Sequence, residues 1–321
     1  MDTKVAIGKV KLGSKFILAP LAGFSDVGFR VLAYQFGAGL CCTEMVSAKG
    51  LVYNSENTKL LLSTDKLEPI KAAQIFGSEV EFIEKALKKK ELQGFDIIDF
   101  NFGCPMKKIV SNGEGSAILK KPNLAYDLIK CCVDNTNQEI TAKIRIGYSA
   151  DNINAVKIAK LIEKAGAKAI TVHGRTRDLF YSGKVDLDMI RQVVEAVNIP
   201  VFGNGNVKDI DSANEMFEKT GCAGIAVGRA AIGAPYIFST LNGKKAKYTL
   251  VSLIKSHISK MSEYIPTKVV VNYMKKHIAA YLMGIPKSKE IKTKIYAISS
   301  LNDLMKLMDT YQEIFYKNFE V

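Results

Sequence analysis

The chain has 321 residues, 48% of them hydrophobic and 24% charged, with a formal net charge of +13. This composition suits a globular protein and excludes a disordered or fibrous one. No apolar run reaches the roughly 18 residues of a membrane span, and the opening MDTKVAIGKVKLGSK lacks an apolar core of signal-peptide length, so a cytoplasmic protein is expected.

In chain order, KVAIGKVKLGSKF alternates apolar and polar residues around Gly8 and predicts a hairpin. FILAP (16–20) predicts a first strand, followed by a helix in VGFRVLAYQFG. GLCCTEM and KAAQIFG read as the second and third strands, with a helix through EVEFIEKALKKK. GFDIIDFN is the fourth strand, with a helix through NLAYDLIKCCVDN. EITAKIRIG, AKAITVHG, NIPVFGNG and CAGIAVGRA supply the remaining four, with helical periods between them. Strands apolar throughout, each followed by a helix, predict a parallel sheet covered on both faces. Eight such units favour a (β/α)8 TIM barrel, its floor closed by the hairpin. A doubly wound sheet would favour a GxGxxG turn after the first strand, and none is present.

The pattern changes near 242–248. LVSLIKSHISKMSEYI, VVVNYMKKHIAAYLMG and LNDLMKLMDTYQEIFYKNF read as amphipathic helices without strands. The expected organisation is a barrel over 1–242 and an all-helical domain over 243–321. The tail holds 14 Lys, no Arg and 6 acids, a net of +8, and so carries most of the basic excess. Such an excess suits a polyanionic partner. The six cysteines form no CxxC, which argues against a zinc site and against a disulfide framework, and no metal is expected.

Active sites of such barrels lie at the C-terminal ends of the strands. In order, these ends bring Pro20-Leu21-Ala22, Glu44, Gln74, Asn101 with Cys104, Lys143 with Arg145, His173 with Arg175, Asn204-Gly205, and Gly228-Arg229. The glycine-rich turns FGNGN and VGRAAIG precede predicted helices, so they are candidates for binding a phosphate at helix N-termini. Lys143 can hold an electron-rich ring oxygen; Gln74 can donate to and accept from the edge of a flavin or pyrimidine, or anchor a loop. His173 stands beside Arg175 in HGR and could equally be a satisfied core histidine. Cys104 lies between turn-formers and could be a nucleophile, a general acid or a buried filler.

These residues occur in motifs that resemble the tRNA-dihydrouridine synthases. LAPLAGFSD, EMVSAKGLVY and AAQIFG follow in order, and NFGCPMKKIVSNGEGSAIL is the most specific match. KIRIGY, TVHGRTRDLFYSG, GNGNV and GRAAIGAPYIF complete the series, which is most like the bacterial B-type subgroup.

The resemblance implies an FMN enzyme that takes electrons from NADPH and reduces the C5=C6 bond of specific uridines in tRNA; no membrane association is expected and no protein partner is inferred. It implies that Pro20, Leu21 and Ala22 line the FMN, that Gln74 and Lys143 hold its ring, and that His173 sits near it. Asn204, Gly205, Asn206, Gly228 and Arg229 would hold its phosphate. Cys104 would be the proton donor, while Asn101, Arg145 and Tyr181 would face the uracil and its neighbours. The tail would bind the tRNA. Leu21 stands where the family usually has Met, and Asn206 where Asp or Glu is common. The rivals are an FMN barrel acting on free pyrimidines and an RNA-binding protein with a vestigial flavin site.

Overall fold

The computed structural model describes residues 5–285 and 288–311. Two short strands, β1 (Ala6–Ile7) and β2 (Val10–Lys11), pair antiparallel across Gly8, which takes φ 55°. A Cβ at Gly8 would lie 2.3 Å from the Glu139 carboxylate, so the turn requires glycine. Ile7 and Leu12 cluster with Ile17, Leu40, Ile97 and Phe202, and the hairpin thus caps the barrel floor.

Eight further strands are all parallel: β3 (Phe16–Leu18), β4 (Val46–Ser47), β5 (Ala72–Phe76), β6 (Ile97–Phe102), β7 (Glu139–Arg145), β8 (Ala169–His173), β9 (Val201–Asn204) and β10 (Gly224–Val227). Their order is β3-β10-β9-β8-β7-β6-β5-β4. The sheet curls until Leu18 bridges Cys41 and Cys42 bridges Ala72. The predicted second strand, GLCCTEM, is therefore two single-residue bridges followed by β4. The Thr43 hydroxyl accepts the Gln74 N–H at 3.1 Å and so takes a donor that a continuous ladder would use.

Several of the surrounding helices bury a single stripe, whereas Val27–Gln35 buries Val27 through Ala33 without a break. In the helix Ala155–Lys164 that stripe is Ala155, Ile158, Ala159 and Ile162, the spacing of one helical face. The barrel ends with the helix Ile237–Leu241, and Gly243 follows at φ 68°. Four tail helices follow: Leu250–Ser262, Thr267–Tyr281, Ser288–Ala297 and Leu301–Thr310. The third escapes the periodicity because only Ile291 and Ile295 of it are buried. The sequence reading carries the last helix on to 319, and positions beyond 311 lie outside the described residues.

The tail has its own core, including Ile254, Ile258, Met274, Ile278 and Ile291, to which Val27 and Leu32 of the barrel helix Val27–Gln35 also belong. The approach is close. A Cβ on Gly28 would lie 2.7 Å from the His257 backbone oxygen.

Candidate active site

Alternate residues of β5, β6 and β7 point into the barrel, and register aligns Gln74 with Asp99 and Thr141, and Asn101 with Lys143. Thr141, Asp99, Gln74 and Asn101 form one polar chain. Asp99 accepts from Gln74 Nε2 at 2.6 Å and from the Thr141 hydroxyl at 2.6 Å. Gln74 Oε1 accepts from Asn101 Nδ2 at 2.8 Å, and Asn101 Oδ1 accepts the N–H groups of Gly103 (3.1 Å) and Cys104 (2.9 Å). Gln74 sits two residues before the end of β5, deeper than the predicted strand end. Asp99 was missed in the apolar run GFDIIDF, although its two-residue spacing from Asn101 puts both on one face.

Burial pushes the Asp99 carboxyl up, against the lowering effect of its hydrogen bonds and of Lys143. Burial, and then the neighbouring Arg145 charge, push Lys143 down to about 8. Pro20, Asp99, Thr141, Lys143 and Thr171 line a cavity in the barrel interior. Leu21 and Ala22, which follow Pro20, are half-buried and exposed respectively and do not line this cavity.

Cys104 lies in the loop after β6 and is 9% exposed. Its carbonyl accepts from the Ser116 N–H (3.1 Å) and hydroxyl (2.8 Å). Gly115, at φ 58°, lets the backbone come close; a Cβ there would lie 2.9 Å from the Cys104 carbonyl. Burial pushes the thiol up, opposed by the Met106 N–H and by Arg145 and Lys143, so it is protonated at neutral pH.

Arg145 staples two loops. Its Nε donates to the Gly103 carbonyl at 2.8 Å, and its Nη1 donates to the carbonyls of Thr176 (2.9 Å) and Phe180 (2.8 Å). Burial pushes it down to about 10. The stapled loop presents Tyr181, 49% exposed, with Arg229 4.6 Å and Arg145 5.7 Å from its ring centre.

A second cluster lies at the ends of β8 and β9. Arg175, buried, spans His173 Nε2 (3.3 Å), the carbonyls of Ser182 and Gly183, and Asn206 Oδ1 (2.9 Å). Burial, then the charges of Lys143, Arg145, Arg175 and Arg229, push His173 far below its ordinary value and hold it neutral. It is the only histidine of the barrel and faces Arg175, so the pairing a nucleophilic Cys104 needs is not built from it. Asn204 donates to the Ala226 carbonyl at 2.7 Å. A Cβ on Gly205 would lie 2.8 Å from Val185, whereas one on Gly228 meets nothing closer than 3.9 Å. The helix N-termini expected beside these turns are otherwise engaged. Asp209 caps the helix Ile210–Thr220, and β10 is followed first by the short turn Arg229–Ala231 and only then by the helix Ile237–Leu241. Any phosphate here would rest on Arg229 and loop N–H groups.

A family model described as dihydrouridine synthase matches residues 17–318. The chain is 35% identical over 321 residues to a probable tRNA-dihydrouridine synthase of Rickettsia conorii, covering 97% of this chain and 96% of that protein. It is 33% identical over 299 residues to tRNA-dihydrouridine synthase B of Pseudomonas aeruginosa, covering 90% of each. Among solved structures, morphinone reductase is similar in fold, with a TM-score of 0.55, 12% identity, and coverage of 75% of this chain and 89% of that one.

Proposed function

The chain belongs to the dihydrouridine synthase family, and from that premise we propose that it reduces the C5=C6 bond of specific tRNA uridines with FMN, NADPH as reductant and Cys104 as proton donor. It is an oxidoreductase, and the reading places it in the cytoplasm. The observation that carries the chemistry is the single amide of Asn101, which ties the Cys104 loop to the Gln74–Asp99 pair beside Lys143.

The residues fit a flavin phosphate. Four cationic side chains bear on His173, an excess of positive charge that suits an anionic group. Gln74 and Lys143 would hold the ring system, with Pro20, Leu21 and Ala22 lining it and neutral His173 beside it. Asn204, Gly205, Asn206, Gly228 and Arg229 would hold the phosphate; Asn206 can do so without the acid common at its position, its oxygen being fixed by Arg175.

FMN, when bound and reduced, supplies hydride to C6 of the uracil. The protein's own part is the proton. Cys104 Sγ–H gives its proton to C5, and the thiolate left behind is stabilised by Lys143 and Arg145 before solvent reprotonates it. Asn101 and Arg145 position the loops around the uracil, and Tyr181 offers an exposed ring for a flanking base. The target uridine must leave its stack to enter the barrel. Residues 1–242 would hold the chemistry, and 243–321 would grip the tRNA through phosphates.

The test supplies NADPH with tRNA and, in parallel, with free uridine. Dihydrouridine is expected in tRNA alone, and acid-released flavin should co-migrate with FMN. Comparable reduction of the free nucleoside would overturn the tRNA assignment.

A further inference from the structure

Two of the chain's three histidines lie on adjacent tail helices, and both turn to one carboxylate of the barrel. Asp26 caps the helix Val27–Gln35, its Oδ1 accepting the Phe29 N–H at 3.1 Å. His257 Nε2 lies 3.0 Å from that oxygen, and His277 Nε2 lies 2.8 Å from Oδ2. Both histidines are fully buried and Asp26 is 7% exposed.

The two histidines are not equally satisfied. Tyr281 and Asp26 satisfy the two nitrogens of His257. Among the described residues His277 Nδ1 has no hydrogen-bond partner, and His277 Nε2 and Asp26 Oδ2 face only each other.

We propose that Asp26, His257 and His277 bind a divalent transition cation of the zinc class that fastens the helical tail to the barrel. Two imidazoles and a carboxylate are a zinc donor set, and their ligand atoms lie within 4.8 Å of one another. Ligands at about 2.0–2.1 Å from a tetrahedral zinc stand roughly 3.3 Å apart, so the two Asp26–His contacts, at 3.0 and 2.8 Å, would open by about 0.3–0.5 Å to admit the ion. Tyr281, on the far nitrogen of His257 at 3.1 Å, is the outer partner that orients a ligating imidazole. The cysteines take no part in this cluster. The ion bridges the two units because Asp26 belongs to the barrel and both histidines to the tail.

The test uses the full chain, purified without a histidine tag. Elemental analysis should find one zinc per chain. Stripping with a chelator should lower the melting temperature by about 4 °C, the shift implied for a chain of this length by saturation at about 100-fold above Kd. It should also expose the 242–249 connection to protease. Adding Zn2+ alone should reverse both effects. Asp26→Asn and His277→Gln should lose the metal and the Zn2+ response. A metal-free chain indifferent to Zn2+ overturns the proposal, as does zinc retained in both variants. Should the variants not fold, the stripping and re-addition on the unaltered chain decide it.

Discussion

Asn101 Oδ1 accepts the Cys104 N–H at 2.9 Å while the nitrogen of the same amide donates to Gln74 at 2.8 Å. One side chain therefore sets both the thiol loop and the orientation of the interior glutamine. Asn101→Ala strands the N–H groups of Gly103 and Cys104 and the Gln74 oxygen. A stability loss of about 1–3 kcal/mol is expected. Dihydrouridine formation should fall more than NADPH oxidation. Thermal melts together with the two rates check this, and an equal fall in both rates would count against a positioning role.

Cys104→Ala removes the proton donor but leaves the cationic residues in place. The variant should bind FMN and oxidise NADPH as before. Dihydrouridine formation should drop about 10²–10⁴-fold, the usual range for a positioned acid. Single-turnover reduction of tRNA measures this, and full activity would remove the thiol from the chemistry.

Much of this arrangement was legible in the chain. Strands buried on both faces leave apolar runs, and the polar ends of β7, β8 and β9 stand out at their limits. What escaped depends on tertiary partners. Asp99 hides in an apolar run because its partners, Gln74 and Thr141, come from other strands. The interruption of the second strand arises because Thr43 reaches the Gln74 N–H. The pairing of Asp26 with His257 and His277 spans more than 230 residues, and no local pattern marks it.

Lys143 gives a pH prediction. In the flavin-free protein its pKa is about 8, below the ordinary value of 10.5. Between about pH 8 and 10.5 the unfolded chain binds more protons than the folded one, so this group's destabilising effect, full below pH 8, is relieved as pH rises. Anion binding has the opposite sign, because it needs the charged lysine. FMN affinity should therefore weaken as pH rises through about 8, and Lys143→Met should abolish that component. Titrations of the apo protein with FMN from pH 6.5 to 9.5 test this, and an identical profile in the variant would assign the dependence to another group.

Gly28 probes the join between the two units. A Cβ there meets the His257 backbone oxygen at 2.7 Å and the Met261 nitrogen at 3.2 Å. Backbone cannot yield as a flexible side-chain end can. Gly28→Ala should cost about 1–3 kcal/mol and loosen the tail. Denaturant melts should show it, with tRNA affinity falling while FMN remains bound. Unchanged stability would mean that the helices slide apart freely.

The tail's charge gives the last prediction. Lys244, Lys245, Lys247, Lys268 and Lys289 are exposed. Each phosphate neutralised releases counterions, and the affinity then falls with salt with a slope of about 0.7–0.9 per contact. Replacing these five lysines by Gln should weaken tRNA binding most at low salt. The magnitude of the log–log slope should fall by about one unit per lost contact, up to five. The variant should still oxidise NADPH, because these lysines lie outside the barrel site. Binding measured from 50 to 300 mM salt distinguishes the outcomes: an unchanged slope with lower affinity would mean that the lysines support the tail's shape, whereas a flattened slope identifies them as phosphate contacts.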